Sequence, residues 1–140
     1  MQPIPYLFFT DTCAQAMRFY AEVFGSPEPE IMPFAAMPEE EKAKMPGVPA
    51  EAVMHAALRI GDGWLYASDD PSGATPAMAG TSVCVSLPTA DEAKRVWERL
   101  ADGGEARMPL EATFWTPAFG TLTDRFGTRW MLMADTPEAS

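Results

Sequence analysis

Apolar residues in this chain follow two periods, and the arrangement occurs twice. Ala16, Phe19, Tyr20, Val23 and Phe24 fall at i, i+3, i+4, i+7 and i+8, the stripe of a helix that covers one face of a neighbour. The stripe recurs 77 positions later as Ala93, Val96, Trp97, Leu100 and Ala101. Asp11 or Thr12 is placed to cap the first helix, over about residues 13–24, and Gly25 to end it. Thr89 and Gly103-Gly104 do the same for a second helix over about 90–102.

Period-two segments surround both helices. Ile4–Phe9 reads as a mostly buried strand, with Pro5 favouring an edge position or a strand start. Glu28–Phe34 reads as an edge strand. Ala52–Ile60 and Trp64–Ser68 read as a hairpin around Gly61-Asp62-Gly63. With that triplet as the loop, Arg59 lies opposite Leu65, and His55, Ala57, Arg59 and Leu65 share a face. Leu58, Ile60, Trp64 and Tyr66 then face the helix. Ser82–Leu87 alternates strictly, with Val83, Val85 and Leu87 on one side and Cys84 between Ser82 and Ser86 on the other. Glu105–Met108 reads as a short strand, Pro109–Phe119 as a loop, and Gly120–Asp124 with Thr128–Ala134 as a last hairpin. Arg59, Gly61, Trp64 and Asp69 match Arg125, Gly127, Trp130 and Asp135 at a spacing of 66.

The simplest account is a duplicated β-α-β-β-β unit. The first covers 1–70, a turn-rich linker covers 71–80, and the second covers 81–140, together one domain of 140 residues. The class is α+β, two tandem units forming a curved mixed sheet around a cup. Each helix stripe covers one face of its sheet, so the other face must meet a ligand or the second unit. Residues 35–51 interrupt the pattern as a polar insertion, with one helical turn at 38–45, and are the longest candidate for a mobile flap.

Composition narrows the partners. Ten basic against 20 acidic residues leave a net charge of −10, which disfavours nucleic acid and anionic membranes, since both require clustered Lys and Arg. No apolar run approaches the roughly 20 residues of a membrane span. Met1-Gln2-Pro3 does not open a basic and then apolar leader, so none is expected. Cys13 and Cys84 are expected to be free thiols in a reducing cytoplasm.

Several segments in order carry a family resemblance. They are Pro5-Tyr6-Leu7-Phe8-Phe9, Phe19-Tyr20, Val53-Met54-His55-Ala56, Ile60-Gly61-Asp62, Ala67-Ser68-Asp69, Leu87-Pro88, Met108-Pro109-Leu110, Thr113-Phe114-Trp115, Phe119-Gly120 and Asp124-Arg125-Phe126-Gly127. Over essentially the whole chain the sequence resembles the vicinal oxygen chelate superfamily of glyoxalase I, extradiol dioxygenases, and fosfomycin and bleomycin resistance proteins. More narrowly it resembles the PhnB-like subgroup. Members of that subgroup often carry a demethylubiquinone methyltransferase label, yet no Gly-rich strand-to-helix loop suited to adenosylmethionine is present.

The resemblance implies one metal ligand on the first strand and one on the fourth strand of each unit. Registering Phe19-Tyr20 places the first at Pro5, and the 77-residue repeat places its partner at Ser82. Registering Asp124 and Gly127 places a third at Met131, and the 66-residue repeat sends the fourth to Leu65. None of these is an imidazole, carboxylate or thiolate ligand. The chain holds one His, so two copies of His55 could meet only across a homodimer axis. A slip of one or two residues would bring Tyr6, Tyr66, Cys84 and Trp130 forward instead, also a poor set. The metal site is therefore expected to be absent, and no cofactor is expected.

Other residues remain as candidates. His55 could act as a general base or donate to an anion, or be a structural histidine. Arg59 and Arg125 could clamp a carboxylate or phosphonate, or be solvated at hairpin ends. Phe114 and Trp115 could wall the cup or pack a loop or dimer interface. Cys84, Ser82, Leu65 and Met131 would line the cup, Cys84 as a small hydrophobe rather than a nucleophile. Asp69 and Asp135 end strands, where turn formation explains them. The expected function is metal-independent binding of a small, partly apolar and possibly anionic molecule by a homodimer. The alternatives are a metal-dependent lyase, isomerase or dioxygenase, and a dimeric interaction module without a ligand.

Overall fold

The computed structural model describes residues 1–135, which divide into two compact units, Met1–Pro76 and Ala77 onward. In the first unit the order is β1 (Tyr6–Phe9), α1 (Cys13–Phe24), β2 (Glu30–Pro33), a short 3-10 turn, α2 (Glu39–Ala43), β3 (Val53–Ile60) and β4 (Gly63–Asp69). In the second it is β5 (Val83–Leu87), α3 (Ala90–Ala101), β6 (Glu105–Glu111), β7 (Phe119–Thr123) and β8 (Arg129–Ala134). Each unit forms a four-stranded mixed sheet, ordered β1-β4-β3-β2 and β5-β8-β7-β6, with its first strand parallel to its fourth. The chain is α+β, two tandem βαβββ units. The only departure inside the first is the insertion after β2, where 39–43 is helical as its Glu-rich segment predicts. No helix among the described residues is long and apolar enough to cross a membrane.

Most of each expected stripe buries, while Phe24, Trp97 and Ala101 keep partial exposure. On α1, Ala16, Met17, Tyr20 and Val23 lose all solvent exposure. Gly25 closes the helix in the left-handed region at φ 64, which a residue with a Cβ adopts only at a cost. On α3, Ala93, Val96 and Leu100 are fully buried, and the Thr89 hydroxyl accepts from the Glu92 backbone N–H at 3.1 Å. Beneath α1 lie Leu7, Phe9, Ala56, Leu58, Leu65 and Ala67. Beneath α3 lie Val83, Leu87, Leu122, Trp130, Leu132 and Ala134. A Cβ at Gly120 would stand 2.8 Å from the Trp97 ring and 2.9 Å from the Leu110 backbone. Only glycine lets these elements approach so closely.

Two carboxylates tie elements together in the core. Asp69 accepts from the backbone N–H of Cys13 (3.0 Å) and of Val53 (2.9 Å), joining the end of β4 to the starts of α1 and β3. Asp124 accepts from the backbone N–H of Phe126 (2.8 Å) and Thr128 (3.0 Å) and from the Trp130 indole N–H (2.8 Å). Neither is an incidental turn residue. The sequence reading of Asp69 as a strand-terminal turn former understated it, because its partners lie 56 and 16 positions away.

Most strand boundaries shift by a residue or two from expectation, and three of the differences matter for the site. Ile4 and Pro5 precede β1, although the Pro5 carbonyl still accepts from the Tyr66 N–H. Strand β6 runs on through Pro109 to Glu111, where a loop is expected. It is an edge strand with register shifts between Ala106 and Met108 and between Met108 and Glu111, positions that tolerate proline. The first hairpin loop is the two residues Gly61 and Asp62, since Ile60 pairs with Gly63.

Candidate functional site

That shorter loop changes which residues share a face. Arg59 pairs with Trp64, Leu58 with Leu65 and Ala57 with Tyr66. Directly paired residues lie on the same side, so one residue of slip exchanges the two faces of β4. Leu65 is thus buried against Leu58 under α1 and lines no site, contrary to its expected place. Tyr66 and Trp64, expected under the helix, are on the opposite, helix-free face. His55, Ala57 and Arg59 are on that face as expected.

Strand β1 brings two more rings to it. Its alternation sends Leu7 and Phe9 under α1 and leaves Tyr6 and Phe8 outside, 40% and 59% exposed. Tyr6 and His55 meet through the phenol oxygen and Nδ1 at 3.3 Å. Ring centroids are 5.0 Å apart for His55–Tyr66, 5.1 Å for Tyr6–Phe8, 5.8 Å for Tyr6–His55 and 6.3 Å for Trp64–Tyr66. Met32, paired with His55, adds an exposed thioether. The Arg59 guanidinium caps this platform 5.2 Å from the Trp64 ring centroid, with its Nε donating to Gly61 O. The helix-free face of unit one is therefore a continuous aromatic surface with one imidazole in it.

A second feature of this unit went unread in the sequence. Residues 71–76, the first part of the expected linker, close a cleft of about 450 Å3 lined by Phe8, Met54, Ser68, Asp70, Thr75 and Pro76. Hydrogen bonds from Thr75 and Ser72 hold the Asp70 carboxyl below its ordinary value.

In unit two the second hairpin is longer. Thr123 pairs with Arg129, Asp124 N–H donates to Thr128 O, and Arg125-Phe126-Gly127 forms the tip, with Gly127 at φ 91. The spacing of 66 therefore does not relate equivalent positions. Trp64 lies on the helix-free face of its sheet, whereas Trp130 is wholly buried under α3. Likewise Arg59 and Arg125 are not counterparts. Arg125 sits in the turn with its side chain against Gly103 and over the Phe126 ring.

The helix-free face of unit two carries Cys84 and Ser86 from β5, Met131 and Met133 from β8, and Thr121 and Phe119 from β7. Cys84 is exposed, and desolvation raises its thiol above the ordinary value, which disfavours a thiolate nucleophile. Cys13, the other free thiol, is buried and pushed up to about 12, first by burial and then by the Asp69 charge. The Ser86 hydroxyl donates to the Asp135 carboxylate. Trp115 packs edge-on against Phe119 at 5.1 Å, and Phe114 beside it is wholly exposed. Ser82, one residue before β5, meets Arg107, a residue the sequence reading did not single out.

The metal-ligand positions implied by the family resemblance do not assemble a donor set. Pro5 precedes β1, Leu65 is buried under α1, and Ser82 precedes β5. Met131 sits on the helix-free face of unit two, and Ser82 stands at the same face just before β5; a thioether and a hydroxyl are poor ligands for such a metal. With the observed pairing, the first and fourth strands bring Tyr6 against Tyr66 and Cys84 against Met131. No three His, Cys, Asp or Glu side chains among the described residues could hold a metal ion together. These residues do not fit the superfamily's metal.

Tandem βαβββ units with a helix on one face of each sheet are the glyoxalase/bleomycin resistance fold. Within it, the chain belongs to the PhnB-like family, whose model, described as 3-demethylubiquinone-9 3-methyltransferase, matches residues 2–133. The chain is 28% identical over 134 residues to protein YjdN of Escherichia coli strain K12, covering 91% of each. It is 34% identical to protein PA1353 of Pseudomonas aeruginosa, with a TM-score of 0.86 over 98% of this chain and 99% of that one. A PhnB protein from Bacillus cereus, 21% identical, shares the fold at a TM-score of 0.73 over 96% of this chain and 100% of its own.

Proposed function

We propose that this protein binds a small, partly apolar molecule on a helix-free sheet face, without the metal its superfamily usually employs. The observation that carries the reading is the aromatic platform of Tyr6, Phe8, His55, Trp64 and Tyr66. An amphipathic sheet normally exposes a polar outer face; this one exposes rings, which favours an interaction site. His55, in contact with Tyr6 and Tyr66, is the one imidazole available for proton transfer or for donating to a polar atom of the ligand. Metal-dependent lyase, isomerase or dioxygenase chemistry is the less supported reading, because the donor residues do not converge.

Methyl transfer, named in the family's description, has no support in this chain's own turns. The connections from β1 to α1 (Thr10-Asp11-Thr12) and from β5 to α3 (Pro88-Thr89) hold no glycine at which a nucleotide-bearing cofactor could approach the backbone.

Titration of a uniformly 15N-labelled sample with neutral aromatic fragments such as indole tests the proposal. Amide shifts are expected to centre on Tyr6, His55 and Tyr66, and Tyr66→Ala is expected to weaken binding about tenfold or more, since a contacting ring contributes of order 1–3 kcal/mol. Absence of fragment binding at this face, or an unchanged affinity in Tyr66→Ala, would refute it. We further infer a homodimer, supported by the wholly exposed Phe114 beside Trp115. Light scattering on the same samples should read two copies, and a one-copy mass would refute the pairing.

A further inference from the structure

We infer that the helix-free face of unit two holds an oxyanion-binding site, formed by Arg107, Arg129, Ser82 and Thr121, for the acidic group of a small carboxylic or phosphonic acid. The inference goes beyond the aromatic platform of unit one and stands on residues of unit two alone.

The site begins with a backbone irregularity. The register of β6 shifts between Ala106 and Met108, and Arg107 lies at the shift. Its Nη2 reaches the Leu122 carbonyl at 3.2 Å and the Ser82 hydroxyl at 3.4 Å. Arg129 starts β8 opposite Thr123, two residues before Met131 and on the same face. Strand β7 lies between the two arginines, and its Thr123 pairs with Glu105 on one side and with Arg129 on the other. Arg107 is drawn below its ordinary value, first by desolvation and then by Arg129, with Glu105 opposing. Among the described residues neither arginine forms an ion pair with a carboxylate, in a chain with twice as many acidic as basic residues, 20 against 10.

Two polar atoms here have no partner. The Arg129 Nε is buried and donates to nothing, and the Thr121 hydroxyl, in a side chain only 4% exposed, is likewise unsatisfied. Buried polar groups are rarely left so, and each costs free energy unless something fills the gap. Two like charges on one sheet, with unused donors beside them, suit a bound anion, which would offset both charges and accept from the guanidinium groups and the hydroxyls. Beside them Met131, Met108 and Cys84 give an apolar floor for the body of the acid.

The experiment follows Arg Nε–H and backbone amide signals while phenylphosphonate, benzoate and benzyl alcohol are added separately. The acids are expected to shift Arg129 Nε–H and the Thr121 amide, and the neutral alcohol to leave both in place. Whichever acid binds more tightly, phenylphosphonate or benzoate, tells a tetrahedral from a planar oxyanion site. Arg107→Gln should weaken acid binding about tenfold or more, as loss of a charge-assisted hydrogen bond does. Glu105→Gln removes an opposing carboxylate and should tighten it about two- to fivefold, a gain that misfolding cannot mimic. Lys94→Gln, an exposed residue on α3, changes net charge by the same amount as Arg107→Gln and should have no effect. No acid binding at Arg129, an equal loss in Lys94→Gln, or equal shifts with benzyl alcohol would overturn the site. Indole shifts at Tyr6 and Tyr66 would persist in that case, so the two readings fail separately.

Discussion

Replacing Trp130 with alanine is expected to lower stability by about 3–5 kcal/mol, a large share of the roughly 5–15 kcal/mol that holds a domain folded. Trp130 is the largest wholly buried side chain. It lies on β8 between Val83 of β5 and Leu122 of β7 and closes the sheet against α3. Truncation would leave a cavity and also strip the Asp124 carboxylate of the indole N–H it accepts from at 2.8 Å. Trp130→Phe separates the two effects. It keeps most of the volume and loses the hydrogen bond, so its cost should be about 1–3 kcal/mol. Urea unfolding of both variants measures this. A loss below about 1 kcal/mol in Trp130→Ala would mean that Trp130 is not the centre of this core.

Asp69→Ala is the second large effect, expected at about 2–4 kcal/mol. The substitution leaves the Cys13 and Val53 backbone N–H groups buried without acceptors, and each orphaned donor costs of order 1–3 kcal/mol. Asp69→Asn retains one acceptor oxygen and should lose clearly less. The pair also separates structure from chemistry: a stable Asp69→Asn protein that had lost ligand binding would contradict the tethering role assigned to this carboxylate. Thermal melts and the fragment titration together read both quantities.

The helices were legible in the chain because their signals are local. Gly25 stops α1 through its own φ, and Thr89 caps α3 through a bond three residues long. The alternation in Val83–Leu87 and in Tyr6–Phe9 was equally direct. The inner lining was harder, because it depends on loop length. Gly61-Asp62-Gly63 and Arg125-Phe126-Gly127 look alike, but the first loop spans two residues and the second three. That difference of one exchanges Leu65 for Tyr66 on the helix-free face. His55 keeps its expected face because it precedes the loop, on a strand whose outward positions do not depend on loop length. Arg107 and Arg129 could not be read as a pair: they lie on β6 and β8 with β7 between them, and Arg107 stands at a register shift that the sequence does not mark. The extension of β6 through Pro109 was hidden because proline argues against a strand everywhere except at an edge.

The same flip bears on the superfamily's metal. Moving the expected ligand positions by one residue, or by two at Ser82, yields Tyr6, Tyr66, Cys84 and Trp130, and the structure brings the first three to helix-free faces while burying the fourth. Phenols and a thiol held above its ordinary pKa are weak substitutes for imidazole and carboxylate.

The central claim, binding without the ancestral metal, is tested most directly by metal analysis of untagged protein before and after incubation with Ni, Zn, Mn and Fe. The account predicts less than about a tenth of an equivalent throughout, because three or four converging ligands are needed to hold such ions. It also predicts fragment binding that a chelator does not change. Retention of any one metal near one equivalent would contradict the account and require the protein to be assayed as a metalloenzyme.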